Sequence, residues 1–517
     1  MAQNNNGRKQ NKADKSAMFQ RYFLPVSLVL IFILLIACIV VAISNGVFGE
    51  IFGGLRPNET NPTETPTTQP TEPPTEEPTL PPEVLENANE LIVKADLLAA
   101  GYDYDKAIAL LQDFGYADEI PELGESIAKY EAAKAACTRY EKMNTITHIF
   151  FHSLIVDTDR AFGSLGDYRP ELQKGDPAGY NQWMTTVDEF KFLMQSMYER
   201  GYVLVTPYQV AYEIKDENGK AKFVEGDIYL PEGKKPFIMS QDDVNYYGYM
   251  IADSSAGVNY TPVYASKKGD GFAHKIVIGQ DGKPTCEYMD RDGNIHVGEY
   301  DLVPILEAFI QEHPDFAYRG ARAVLGVTGY EGVLGYRTKP TYEPNMGAAA
   351  YAKEVADAKA VVQCLKDNGW IIASHSYGHP NYGNLTAQRV ENDSTKFENT
   401  VETIVGKCDI IIYPHGADIA GNEKYTTSNA KFKALYEDGY RYFFNVNSSD
   451  YWVQMGENYY RGGRRNVDGY RMWYHPYKLD DLMDTKTIQY KDKSGKLVEK
   501  TVSAAFDAAR PCPVPQV

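Results

Sequence analysis

The chain has 517 residues, 43% hydrophobic and 24% charged, which excludes wholesale disorder and fibrous architectures and allows about two to four domains. Its net charge of −18 excludes a nucleic-acid binder, which needs a basic face to displace counterions from phosphates. The charge is uneven: in the basic tail, residues 1–22, Arg8, Lys9, Lys12, Lys15 and Arg21 stand against Asp14 alone.

Phe23 to Ile43 is a 21-residue run without a charge. About 20 apolar residues cross the hydrocarbon core as a helix, so residues 23–43 are expected to be a transmembrane anchor. The basic flank predicts a cytoplasmic N-terminus and an extracellular remainder, hence a single-pass protein of the cell membrane. A cleavable signal peptide is the competing reading, with Ala42-Ile43-Ser44 as a small-x-small site. The run is long for a signal h-region of about 7–15 residues, which favours the uncleaved anchor.

Residues 44–82 form the linker. Pro57 to Pro82 holds nine Pro, eight Thr and five Glu, a composition that cannot repay the entropy of ordering and that proline keeps extended. At about 3.1 Å per residue it spans up to about 80 Å, a reach suited to work within a cell wall. Residues 83–144 read as a small helical module, rich in Ala, Leu, Lys and Glu, with a turn centred on Gly101.

After Thr145 the pattern changes. Three apolar-periodic helices each end at a Gly and run into an apolar stretch: Phe190–Arg200 into Gly201, Val355–Asn368 into Gly369, and Ala430–Asp438 into Gly439. Further strands are predicted at Ile146–His152, Pro236–Ser240, Ala323–Val327 and Ile410–Tyr413. Helix–strand alternation of this kind implies an α/β fold with parallel strands, whose chemistry collects at the strand carboxyl ends. Asp281-Gly282 and Asp292-Gly293, flanked by strand-like residues, predict inserted hairpins.

Three predicted strand ends carry reactive side chains: Asp242-Asp243, His375-Ser-Tyr-Gly-His379, and Pro414-His415-Gly416. Two histidines four apart share a side if the segment turns helically, and with Asp243 they form an N2O set for one divalent ion. Such a set suits zinc and tolerates cobalt, nickel, manganese or iron. Three protein ligands leave positions open, as a catalytic ion requires, and Asp242 is then the candidate base. Alone, paired Asp at a strand end is more often a cap, and His-x-x-x-His often arises by chance. Their convergence in one α/β segment is the informative feature.

From about Thr145 to Pro511 these residues resemble a polysaccharide deacetylase of the NodB-homology type, carbohydrate esterase family 4. The resemblance implies a distorted (β/α) barrel and an enzyme that removes N-acetyl groups from a polysaccharide; the predicted hairpins add a β-rich insertion to it, and the predicted anchor makes it membrane-anchored, acting on a cell-wall or extracellular polysaccharide. Ser240-Gln241-Asp242-Asp243-Val244 stands at the T-F-D-D-G motif, which makes Asp242 the base and Asp243 a metal ligand. His375-Ser376-Tyr377-Gly378-His379 matches H-[ST]-x-x-H in full and supplies the two histidine ligands. Ile412-Tyr413-Pro414-His415-Gly416 corresponds in part to R-x-P-Y-G; it makes Tyr413 and Pro414 groove residues and gives His415 a backbone N–H for the oxyanion.

Gln241, Val244 and Ile412 depart from the family pattern, and the last removes the Arg that orients the base. Arg464 or Arg465 is the candidate replacement, with Arg465 a candidate substrate contact. His475 is the candidate general acid, and His152, at the end of the first strand, is expected to line the site. The departures keep two rivals open: an inactive glycan-binding relative, and a hydrolase of another ester or amide bond on the same scaffold. Peptidoglycan is the favoured substrate because anchor and linker place the enzyme near a wall. The six cysteines form no C-x-x-C pair, so no zinc ribbon is indicated.

Overall fold

A computed structural model describes residues 80–116, 119–162, 176–251, 271–447, 449–492 and 494–517. The expected anchor, 23–43, and nearly all of the linker lie outside the described residues. Among the described residues no helix is long and apolar enough to cross a membrane.

The helical module is three helices: α1 (Pro82–Ala100), α2 (Tyr104–Gln112) and α3 (Pro121–Ala135). Ala88, Ala95, Ala99 and Ala107 are buried with Leu111, Leu123 and Tyr130, so small side chains let the helices approach closely. Helix was expected to run on to about Met143. Instead α3 stops at Ala135, and Thr138–Arg139 pairs antiparallel with Tyr229–Leu230 beside the main sheet.

The main sheet is a closed barrel of seven parallel strands: β1 (Thr147–Phe151), β2 (Lys235–Gln241), β3 (Val324–Val327), β4 (Ile371–Ser374), β5 (Ile410–Ile412), β6 (Tyr442–Val446) and β7 (Tyr460–Asn466). Each pairs with the next in chain order, and β7 closes onto β1. The closure is irregular at β2. Its first half pairs with a short strand, Tyr202–Leu204, and its last two residues pair with β3. The strands alternate: Ile238, Val324, Ala373, Ile410, Ile412 and Phe444 pack as one cluster, while Met239, Leu325, Ile372, Ile411 and Phe443 pack with the outer layer.

Helices α4 (Val187–Glu199), α5 (Leu302–Glu312), α6 (Ala348–Asp367), α7 (Ala387–Thr400) and α8 (Ala430–Glu437) add to that outer layer. The three predicted glycine stops hold: Gly201, Gly369 and Gly439 all have positive φ, which ends a helix at little cost. The predicted hairpins form a three-stranded antiparallel sheet, Lys275–Ile278, Pro284–Met289 and Ile295–Gly298. Strand β7 was not expected, because Tyr-Arg-Gly-Gly-Arg-Arg-Asn has the composition of a loop; all seven residues are buried. A short helix, α9 (Gly469–Tyr474), follows it.

Candidate active site

The strand alternation that builds the barrel also builds its mouth. Residues sharing one parity on β1, β2, β4 and β7 end in His152, Asp242, His375 and Asn466, and all four line a single cavity of about 540 Å³. Asp243, His379, His415 and Gly416 join them from the connecting loops.

Asp243, His375 and His379 come together as one group, with a carboxylate oxygen and two ring nitrogens all within 4.8 Å of one another. Asp243 Oδ2 lies 3.9 Å from His375 Nε2 and 3.7 Å from His379 Nε2. The histidines do not converge through a helical turn, as expected from their spacing. They converge through a loop in which Ser376 and His379 hold φ of 65° and 54°, and Asp243 holds 56°. Left-handed non-glycine residues are costly and persist only when their surroundings over-determine them. Here Asp393 accepts from the Tyr377 and Gly378 N–H groups at 2.8 and 3.0 Å, and Ser376 Oγ accepts from His379 N at 2.9 Å.

The surroundings also set which donor atoms are presented. His375 Nδ1–H donates to the Ile412 carbonyl at 2.9 Å, which leaves Nε2 as the lone-pair nitrogen. The Tyr247 hydroxyl donates to Asp243 Oδ1 at 2.6 Å, which leaves Oδ2 toward the two rings. Burial raises the Asp243 pKa, but its interactions with His375 and His379 and the bond from Tyr247 more than offset it and hold the carboxyl below its usual range. An oxygen and two nitrogens, oriented by outer hydrogen bonds, fit one divalent ion.

Asp242 sits beside this group and is buried. Arg464 clamps it with two bonds, Nη1 to Oδ1 at 2.6 Å and Nη2 to Oδ2 at 2.9 Å. Burial works to raise the Asp242 pKa, and the guanidinium overrides it, driving the carboxyl far below its ordinary value. Arg464 is itself fully buried, lies over the Phe150 ring, and donates to Ser240 Oγ at 3.1 Å. His148 Nε2 meets the same hydroxyl at 2.9 Å, and burial keeps His148 neutral.

Of the two candidate arginines, Arg464 is the one that meets Asp242, and Arg465, one residue on, faces away: it binds Asp481 and the Lys478 carbonyl and does not line the cavity. Tyr413 does not line the cavity either. Its ring is fully buried in the outer core, with its hydroxyl 3.0 Å from that of Tyr425, and buried Pro414 is not part of the cavity lining. Nor is His475, a half-buried residue whose ring meets Tyr470 and Tyr477. His152 does line the cavity, and its Nδ1–H donates to the Trp183 carbonyl at 3.2 Å.

The motif departures have local partners. Gln241 donates to Asp301 at 2.9 Å, and Asp301 also accepts from Leu154 N, Leu302 N and the Tyr246 hydroxyl. Burial raises the Asp301 pKa, and these donors work against that rise. Val244 is fully buried and bonds Gly326 through its N–H at 3.0 Å, and Ile412 is fully buried in the cluster that holds Ile238, Ala373 and Phe444. Trp183, Met184, Asp468, Tyr470 and Arg471 line the cavity without having been singled out. They lie outside the barrel strands, where no strand-end pattern marks them.

Residues 345–442, which include the His375–His379 motif and β5, match the family model described as Polysaccharide deacetylase. Over that segment the chain is similar to the polysaccharide deacetylase family. The resemblance read from the motifs is thereby borne out, and the closed seven-stranded barrel with its helices fits a NodB-like (β/α) barrel. Two solved structures are similar. The Streptococcus pyogenes deacetylase PplD in complex with acetate shares 13% identity over 65% of this chain and 95% of that one, with a TM-score of 0.31. A family 4 carbohydrate esterase from Streptomyces lividans in complex with acetate shares 13% identity over 32% of this chain and 71% of that one, with a TM-score of 0.17. No curated protein matches the chain.

Proposed function

We propose that the protein is a metal-dependent deacetylase that removes N-acetyl groups from a cell-wall or extracellular polysaccharide, with peptidoglycan as the substrate. The observation that carries this reading is the Arg464-clamped Asp242 standing next to the Asp243, His375 and His379 group at the barrel mouth. Those three residues would hold the ion, which when bound polarises the acetamide carbonyl and acidifies water. Zinc is favoured, with cobalt, nickel, manganese or iron as alternatives.

Asp242 accepts the proton of the attacking water at a carboxylate oxygen. Arg464 keeps that carboxylate ionised and fixes its direction, so the base costs no reorientation during the reaction. His415, with φ of 58° at the rim, presents backbone to the developing oxyanion. With His475 outside the cavity lining, the general acid is assigned to His152: its Nδ1–H is held by the Trp183 carbonyl, so it acts as the imidazolium, whose second proton, on Nε2, goes to the departing amine. Phe150, Met184 and Val446 offer the acetyl methyl an apolar side. Gln241, Val244 and Ile412 kept an inactive glycan binder open as a rival; the Arg464 bonds to Asp242 answer the last of these departures.

The test is acetate release from peptidoglycan and chitin oligomers, with zinc, after chelation, and after zinc is restored. Release that stops with chelator and returns with zinc is expected. No acetate from any N-acetylated glycan by the zinc-loaded protein would overturn the reading. The proposed anchor is tested separately: full-length protein should fractionate with membranes, whereas a soluble product beginning near Asn45 marks a signal peptide.

A further inference from the structure

We propose that Trp183 is a sugar-stacking subsite at the edge of the catalytic cavity, and that Arg510, close to the C-terminus, is the residue that positions it. This rests on the deacetylase reading above and adds a substrate class: a chain of pyranoses, gripped one ring beyond the unit that loses its acetyl group.

Trp183 lines the cavity yet remains 41% exposed, whereas Trp370 and Trp473 are each only 2% exposed. Its indole lies nearly parallel to Tyr470, with ring centroids 6.1 Å apart and planes at 28°, and Tyr474 stands behind Tyr470 at 5.0 Å. A pyranose between two aromatic plates needs about 3.5–4.0 Å of carbon contact on each side. The Trp183–Tyr470 gap is too narrow for that, so an occupant stacks on the open face of the indole with Tyr470 as backing. A sugar whose hydroxyls are equatorial offers a matching C–H face, and aromatic rings gain most from such broad apolar contact.

The backbone beneath Trp183 is fixed on both sides by one buried cation. Arg510 Nη1 donates to the Asn181 carbonyl at 2.8 Å and Nη2 to the Met184 carbonyl at 2.6 Å. Glu189 neutralises it with bonds of 2.5 and 2.6 Å, and this pair is 0% and 1% exposed. Gly469 completes the seat: a Cβ there would lie 2.0 Å from the Asn181 carbonyl oxygen, so α9 meets the segment backbone to backbone. Because the Trp183 carbonyl also receives the His152 N–H, the clamp holds the subsite and the proposed acid in one register.

Trp183→Ala removes the stacking face but keeps the carbonyl. On an N-acetylated hexasaccharide its KM should rise at least tenfold more than on 4-nitrophenyl acetate, with Trp183→Phe in between. Arg510→Lys keeps charge but loses the fork; it should raise the hexasaccharide KM and also lower kcat on the hexasaccharide, since His152 loses its orientation, while kcat on 4-nitrophenyl acetate, whose leaving group departs without a proton, stays near wild type. The double variant Trp183→Ala, Arg510→Lys should have a hexasaccharide KM little worse than the worse single variant. Equal KM changes on both substrates in Trp183→Ala would overturn the subsite. Fully additive KM effects would reduce Arg510 to a structural residue and overturn its positioning role. A wild-type protein that turns over neither substrate sinks the deacetylase reading instead, which keeps the two failures distinct.

Discussion

Asp242 and Arg464 are 222 residues apart in the chain and form a two-bond ion pair in a fully buried setting. Such a pair is expensive to break from one side, because the remaining charge has no solvent to turn to. Arg464→Met and Asp242→Asn should therefore each destabilise the fold by about 3–5 kcal/mol in denaturant titration, because each leaves one buried charge unpaired. Asp242→Asn should retain zinc stoichiometrically and lose about 10²–10⁴-fold in turnover, the scale of general-base loss. Retention of turnover would remove Asp242 from the mechanism. His152→Gln should fall by a similar factor with zinc still bound, and His475→Gln should stay within a few-fold of wild type; the reverse ranking would return the acid role to His475. His375→Ala combined with His379→Ala should bind no zinc. The residue types at the site were legible in the chain because Asp-Asp and His-x-x-x-His are local patterns. The choice between Arg464 and Arg465 was not, because it depends on which of two neighbours faces inward on a strand that had not been recognised.

That strand, β7, shows what hides an element. Its two glycines and three arginines carry no apolar alternation, so the usual strand signal is absent. Burial of the arginines depends on partners far away in sequence: Asp418 for Arg461, Asp242 for Arg464 and Asp481 for Arg465. Its glycines reflect close neighbours. A Cβ at Gly463 would lie 2.6 Å from that of Asn447 and 3.1 Å from that of Trp452. Gly463→Ala should therefore cost about 1–3 kcal/mol, the range for overpacking, read as a lowered urea midpoint with unchanged slope. A midpoint equal to wild type would show that β7 and its neighbours yield freely. The other six barrel strands were legible because their apolar runs follow glycine stops or stand between turn signals. The loop that joins His375 to His379 was not, since two left-handed residues held by Asp393 and Ser376 replace the helical turn that the spacing suggested.

At the scale of the whole molecule, titratable groups buried far from one another give the fold a pH profile in two stages. His148, between Ser240 and the Phe444 ring, is pushed well below 6.5 by burial and by Arg464. His274, near Arg160, Arg337 and Lys275, is lowered to about 4, chiefly by burial. In the unfolded chain both titrate near 6.5, so below that pH the unfolded state binds the extra protons and stability falls as pH falls. Their contribution is complete above pH 6.5 and is lost on the way down; for His274 alone a shift from 6.5 to about 4 is worth about 3 kcal/mol by pH 4. The depressed carboxylates act in a lower window. Asp242, Asp243 and Asp481 stabilise the fold above their unfolded values near 4, and that stability is lost only as pH drops further. Urea midpoints should thus be level from pH 8 to 7, decline from 6.5 to 4.5, and drop again below 4. His274→Gln, neutral at every pH, should flatten part of the first decline without altering the second. A midpoint that holds constant between pH 7 and 5 in the wild type would mean that both imidazoles reach water, and would undo the assignment of His148 as the neutral support beneath Arg464.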